Sequence, residues 1–182
     1  MTELSACAVE MLVFGEMYDD VFKEIIDQTE EKDETLVAKV KNLQKKCNEG
    51  GASRAESNNV SSVSQSAITA LRSLPQARTP TDKLLRCVEF LEHVSAHFSS
   101  LFQGEYVDAD TLLIMVCQHV VAAFVSHLHA EVVFIEEFSR DEQLLSGKEG
   151  YALITLQASL HYLDSLDILP IDIAPLNLQP TK

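Results

Sequence analysis

Apolar residues recur at three- and four-residue intervals along most of this chain, and no stretch before its end shows sustained two-residue alternation or a hairpin turn signal. That periodicity restricts the fold to helices packed on helices, so the expected class is all-α. Leu4, Ala8, Met11, Leu12, Tyr18, Phe22, Ile25 and Ile26 share one face of an opening helix, with Glu3, Glu10, Glu16, Asp19 and Lys23 largely opposite. Leu36, Val37, Val40, Leu43 and Cys47 predict a shorter second helix, ending in Lys45 and Lys46, which suit a helix C-terminus. A short helix over 67–74 is stopped by Pro75. Thr79-Pro80-Thr81-Asp82 then reads as a capping box, with Thr79 as cap, proline at the first helical position and Asp82 as return acceptor. The helix it starts runs to about Phe102, and three more follow at 110–125, 127–138 and 149–165. The expectation is a layered helical domain of about seven helices over residues 1–166, with an N-terminal helical pair packed on the remainder.

Two segments break the pattern. Residues 48–66, NEGGASRAESNNVSSVSQS, carry almost no large apolar side chain to offset the entropy of ordering them, and read as a flexible, disordered insert. Residues 167–182 place prolines at 170, 175 and 180, removing amide donors that a helix or inner strand needs, and read as an extended tail.

With a net charge of -14, the chain lacks the basic surface that phosphate neutralisation requires, which argues against nucleic acid as a partner. A partner with exposed lysines fits better. Cys7, Cys47, Cys87 and Cys117 are widely spaced with no CxxC pair, so they read as reduced thiols of a cytoplasmic protein. The acidic residues of the first helix are incompatible with a signal peptide. The longest apolar run, 112–125, contains Gln118 and His119 and is too short to span a membrane.

That run is preceded by two carboxylates in VDADTLLIMVCQHVVAAFV. Asp110 has the position of a favoured N-cap, but Asp108 can cap equally well and so leave Asp110 partly free. Glu89, His93 and His97 stand at successive four-residue intervals on one helical face, a geometry a metal could use, yet without the remaining ligands of a recognisable zinc pattern. An exposed or half-buried helix face is the simpler account. His127 and His129 read as residues that cap or begin the next helix. No GxSxG motif or phosphate-cradling glycine loop is present, and no cofactor or metal is implied.

Three pieces of sequence at matching intervals carry a resemblance: DADTLLIMV, LHAEVVFIEEF and LLSGKEGYALITLQASLHYLDSL. From Asp108 to Leu166 the chain resembles the catalytic half of the vacuolar protein sorting nine (Vps-nine) domain. Upstream, AITALRSLPQARTPTDKLLRCVEFLEHVS and MYDDVFKEII are similar to further parts of that family. The resemblance implies guanine nucleotide exchange on an early-endosomal Rab GTPase of the Rab-five group, by a protein working peripherally at the endosome. It also implies that Asp110 enters the nucleotide site of the GTPase, pairing with the P-loop lysine and disfavouring magnesium and the β-phosphate. Tyr151 matches the family's functional tyrosine. Leu112, Leu113, Ile114 and Met115, with Ile154 and Thr155, are expected to line the groove for the GTPase's switch residues.

The chain departs from the family pattern where proline becomes Ile114, where threonine becomes Ile154 with Thr155 one place along, and where Asn-Pro-Pro becomes Phe124-Val125-Ser126. Those departures favour an alternative, a degenerate module of the same fold that binds a Rab or scaffolds a trafficking complex without exchange. A small metal-dependent enzyme built on His93 and His97 is the competitor from another class.

Overall fold

The computed structural model describes residues 3–50, 63–101, 108–139 and 145–165. Its helices, in chain order, are α1 (Glu3–Gly50), α2 (Gln65–Ser73), α3 (Pro80–Leu101), α4 (Ala109–Ala123), α5 (Leu128–Phe138) and α6 (Lys148–Ser165), with a 3-10 turn at Leu74–Gln76. Among the described residues there is no strand, and the fold is all-α. The helical ends of the insert differ from expectation: residues 48–50 continue α1, and Gln65 and Ser66 open α2. Residues 51–62 and the tail from 166 onward lie outside the described residues.

The two N-terminal helices read from the sequence are one. α1 has 48 residues and is about 72 Å long at about 1.5 Å per residue. Its middle, DQTEEKDET, holds no glycine or proline and is rich in good helix formers, so nothing breaks it. The buried stripe continues through that segment on polar side chains: Ile25, Thr29, Asp33, Leu36 and Val40 are all buried at helical spacing. Thr29 Oγ1 donates to Ile25 O at 3.0 Å and to Asp33 Oδ2 at 3.2 Å. Asp33 in turn accepts from His129 N at 2.8 Å and Ala130 N at 3.3 Å. A carboxylate from α1 therefore satisfies the orphan amides at the start of α5, where His127 occupies the cap position without a side-chain bond.

The main core joins Leu36 and Val40 of α1 to the inner faces of α2 through α6. A second cluster, built on Phe14, Tyr18 and Ile25 against Ala130 and Phe134, fastens the front of α1 to α5. The start of α3 follows the capping expectation in part. Thr79 Oγ1 accepts from Asp82 N at 3.1 Å, but the return bond from Asp82 is absent among the described residues. Glu10 from α1 serves this turn instead, accepting from Thr81 Oγ1 at 3.0 Å. Lys39, further along α1, donates to Leu163 O at 3.3 Å and Asp164 O at 2.5 Å, closing the C-terminal end of α6.

Candidate functional site

Asp108, not Asp110, is the N-cap of α4. Its backbone is extended, and its carboxylate accepts from Thr111 N at 2.7 Å. The Thr111 hydroxyl and amide hold the Asp108 carboxyl below the usual carboxylate range. Asp110 is the second helical residue, is exposed, and makes no hydrogen bond or ion pair among the described residues. A bare carboxylate at a helix N-terminus is electrostatically favourable there, and it is available to a partner. Behind it Leu112, Leu113 and Ile114 are half-buried, whereas Met115 belongs to the core.

α6 packs on α4 and supplies the neighbouring surface. Gly150 is required there by space: a Cβ would lie 1.8 Å from Leu145 O. The next residue, Tyr151, is 56% exposed, and Ile154 one turn on is 62% exposed. Tyr151 therefore lies on the surface and outside the core. The Thr155 hydroxyl donates to Tyr151 O at 2.7 Å and so does not substitute for a free polar group at position 154. Cys117 Sγ, 3.6 Å from Ser159 O, marks where the two helices touch. Asp110 and Tyr151 each stand about two turns before that point on their own helices.

α4 owes its placement to polar residues inside its apolar run. His119 is fully buried; its Nδ1 is 2.7 Å from Met115 O, and its Nε2 accepts from Ser64 N at 2.8 Å. Those two bonds require the neutral ring with the proton on Nδ1. Burial holds the His119 pKa below its ordinary 6.5, with the His97 ring 5.9 Å away lowering it further. A depressed histidine pKa contributes stability that is fully present above about pH 6.5 and is lost as pH falls through the folded value. The urea midpoint of wild type should accordingly fall between about pH 7.5 and about pH 5.5, and His119→Gln should flatten that fall. An identical pH profile for the two proteins would exclude His119 as its source.

At its far end α4 stops at Phe124, whose left-handed backbone (φ 51°) suits the asparagine of the family pattern better than a phenylalanine. Arg72 Nε donates to Ala123 O at 2.8 Å, closing the helix end, and the Lys41 ammonium lies 6.0 Å from the Phe124 ring centroid.

The metal reading gains nothing. Glu89 pairs with Arg86 at 2.7 Å, the His97 ring stands edge-on to His119, and no group of three or more metal-type ligands converges among the described residues. Cys87 and Cys117 are free and buried, and burial pushes both thiols up to about 12. Clefts of about 530 and 540 Å³ beside α1 contain neither Asp110 nor Tyr151. No single helix among the described residues is long and apolar enough to cross a membrane.

Among the described residues, an unpartnered carboxylate at the start of α4 and an exposed tyrosine and isoleucine on α6, which packs against α4, lie outside those clefts and have the character of a protein-binding surface on a helical module. The family profile for the Vacuolar sorting protein 9 (VPS9) domain matches residues 64–168, more than half of the chain. The chain belongs to that family, and membership implies guanine nucleotide exchange on Rab GTPases. The match covers α2 to α6; α1 precedes it. The search of curated proteins returned no match.

Proposed function

We propose that this protein promotes GDP release from a Rab GTPase of the early-endosomal Rab-five group, with Asp110 as the group that displaces nucleotide and Tyr151 as an interface anchor. The observation that carries the proposal is the division between two neighbouring carboxylates: Asp108 is occupied as the cap, and Asp110 is exposed and, among the described residues, unpaired. A negative charge brought into a phosphate site repels the phosphate and competes for the lysine that held it. No bond to nucleotide is made or broken. The exchange factor works by binding the nucleotide-free GTPase more tightly than the loaded one. Leu112, Leu113 and Ile114, backed by Met115, offer apolar surface to the switch segments, with Ile154 and Thr155 on the adjoining helix. The setting is the cytoplasmic face of early endosomes, where a domain of net charge -14 is repelled by anionic lipid and contacts the membrane only indirectly.

Release of mant-GDP from a panel of purified Rab proteins tests the proposal. Acceleration concentrated on the Rab-five group supports it; acceleration confined to other Rabs removes the subfamily assignment, and no acceleration with any Rab removes the exchange reading. In the last case, binding to nucleotide-free Rab distinguishes the degenerate module, which the exposed Ile154 in place of threonine favours.

Ile154→Thr is expected to raise exchange or Rab affinity by restoring a polar contact. Because Ile154 is exposed, the stability cost should be within about 0.5 kcal/mol, so activity and folding separate cleanly. Unchanged or lower values of both quantities in a normally folded variant would remove the threonine position from the account.

A further inference from the structure

The buried portion of α4 is fastened repeatedly: by His119 to Ser64, by Cys117 to Ser159 on α6, and by Arg72 at the carbonyls of Ala122 and Ala123. Its first turn is held differently. Ala109 and Asp110 are exposed and Thr111 is half-buried. Among the described residues, the one side-chain bond to the backbone of that turn is the bond from Thr111 N to the Asp108 carboxylate. An uncapped first turn frays readily, because its amides have no partners within the helix. We infer that Asp108 is a positioning residue for exchange: its cap keeps the first turn of α4 formed in the free protein, so that Asp110 already projects from a helix when the GTPase arrives.

The inference rests on the exchange reading and adds a residue whose carboxylate need not touch nucleotide. It predicts a particular kinetic signature. If capping loss frays the turn before binding, only a fraction of molecules are competent, and apparent affinity falls by that fraction while the saturated rate recovers. Asp108→Ala should therefore raise KM for the Rab with kcat little changed, by up to about fivefold, the limit set by a lost cap. Asp108→Ser and Asp108→Asn retain a capping oxygen and should restore KM to within about twofold of wild type.

The experiment combines mant-GDP release at several exchange-factor concentrations with amide hydrogen exchange of Thr111 in the full chain. Faster Thr111 exchange and raised KM in Asp108→Ala, both rescued by Ser and Asn, support the inference. Equal impairment of Ser, Asn and Ala variants overturns it in favour of a direct role for the Asp108 charge. An unchanged Thr111 amide in Asp108→Ala overturns it whatever the release rates do. A wild-type protein that accelerates no Rab overturns the exchange reading and this role in exchange together, whereas loss of Thr111 protection in the same experiment would leave the cap itself established.

Discussion

Asp110→Asn is expected to remove most catalysed GDP release while leaving the melting temperature close to wild type. Folding should be spared because Asp110 is exposed and, among the described residues, unpaired, and the N-cap is Asp108. Asp110→Ala should be similarly harmless to folding, costing no more than the few tenths of a kcal/mol of a surface substitution. Had Asp110 been the cap, Ala would have cost about 1 kcal/mol and Asn almost nothing. The first half rests on charge. Asn keeps the size and hydrogen-bonding capacity of the side chain but cannot pair with a lysine as an anion or repel a phosphate. Losing one partner of a desolvated charge pair costs about 2 kcal/mol or more, which corresponds to about thirtyfold or more in rate when the pair forms only on the way to release. Release and unfolding should be measured on both variants, using a Rab that wild type activates. Wild-type release by Asp110→Asn would strip Asp110 of its role; a collapse of stability in either variant would show a structural contact in the first turn of α4.

How much of this could be read from the sequence varied with which side chains faced inward. The apolar faces of α2 through α6 were legible because Leu, Val and Phe repeat at helical spacing, and the boundaries came within about two residues. Thr79 and Pro80 located the start of α3 for the same local reason. α1 was split in two because its buried stripe passes through Thr29 and Asp33, polar residues whose partners lie within the helix and on distant α5. Periodicity counts apolar residues and cannot see such a continuation. At the site, two aspartates before the apolar run marked the right turn, but which one capped it depended on backbone geometry. His119 carried a signal in hindsight: a polar residue inside a core helix must find partners, here Ser64 and Met115. Glu131, inside the apolar LHAEVVFI, and Lys83, before Leu84 and Leu85, carried the same signal, but their pairing over 48 residues of sequence needed the fold.

That pair should produce the largest stability effect in the protein. Lys83 and Glu131 are 0% and 1% exposed, and their ammonium and carboxylate are in direct contact. The ammonium also donates to Leu74 O at 3.3 Å and lies 5.1–5.5 Å from the ring centroids of Tyr18, Phe22 and Phe134. α1, α3 and α5 thus converge on one buried cation. Burial outweighs the mutual attraction, lowering the Lys83 pKa and raising that of Glu131. Glu131→Gln would leave the ammonium with one carbonyl and three ring faces, an uncompensated buried charge costing about 3–5 kcal/mol, or roughly 10 °C in melting temperature. Lys83→Met/Glu131→Leu should recover most of that loss, because an apolar pair removes both desolvation penalties. The single variant also carries a pH signature. Without Glu131 to favour the charged form, the Lys83 pKa falls further below its unfolded value of about 10.5, so the unfolded chain binds the extra proton. Stability of Glu131→Gln should then climb relative to the double variant as pH rises toward about 10, where neutral Lys83 is tolerated in the fold. Parallel stability curves across that range would mean that Lys83 reaches water once its partner is gone, and that the aromatic cage opens rather than holding a stranded charge.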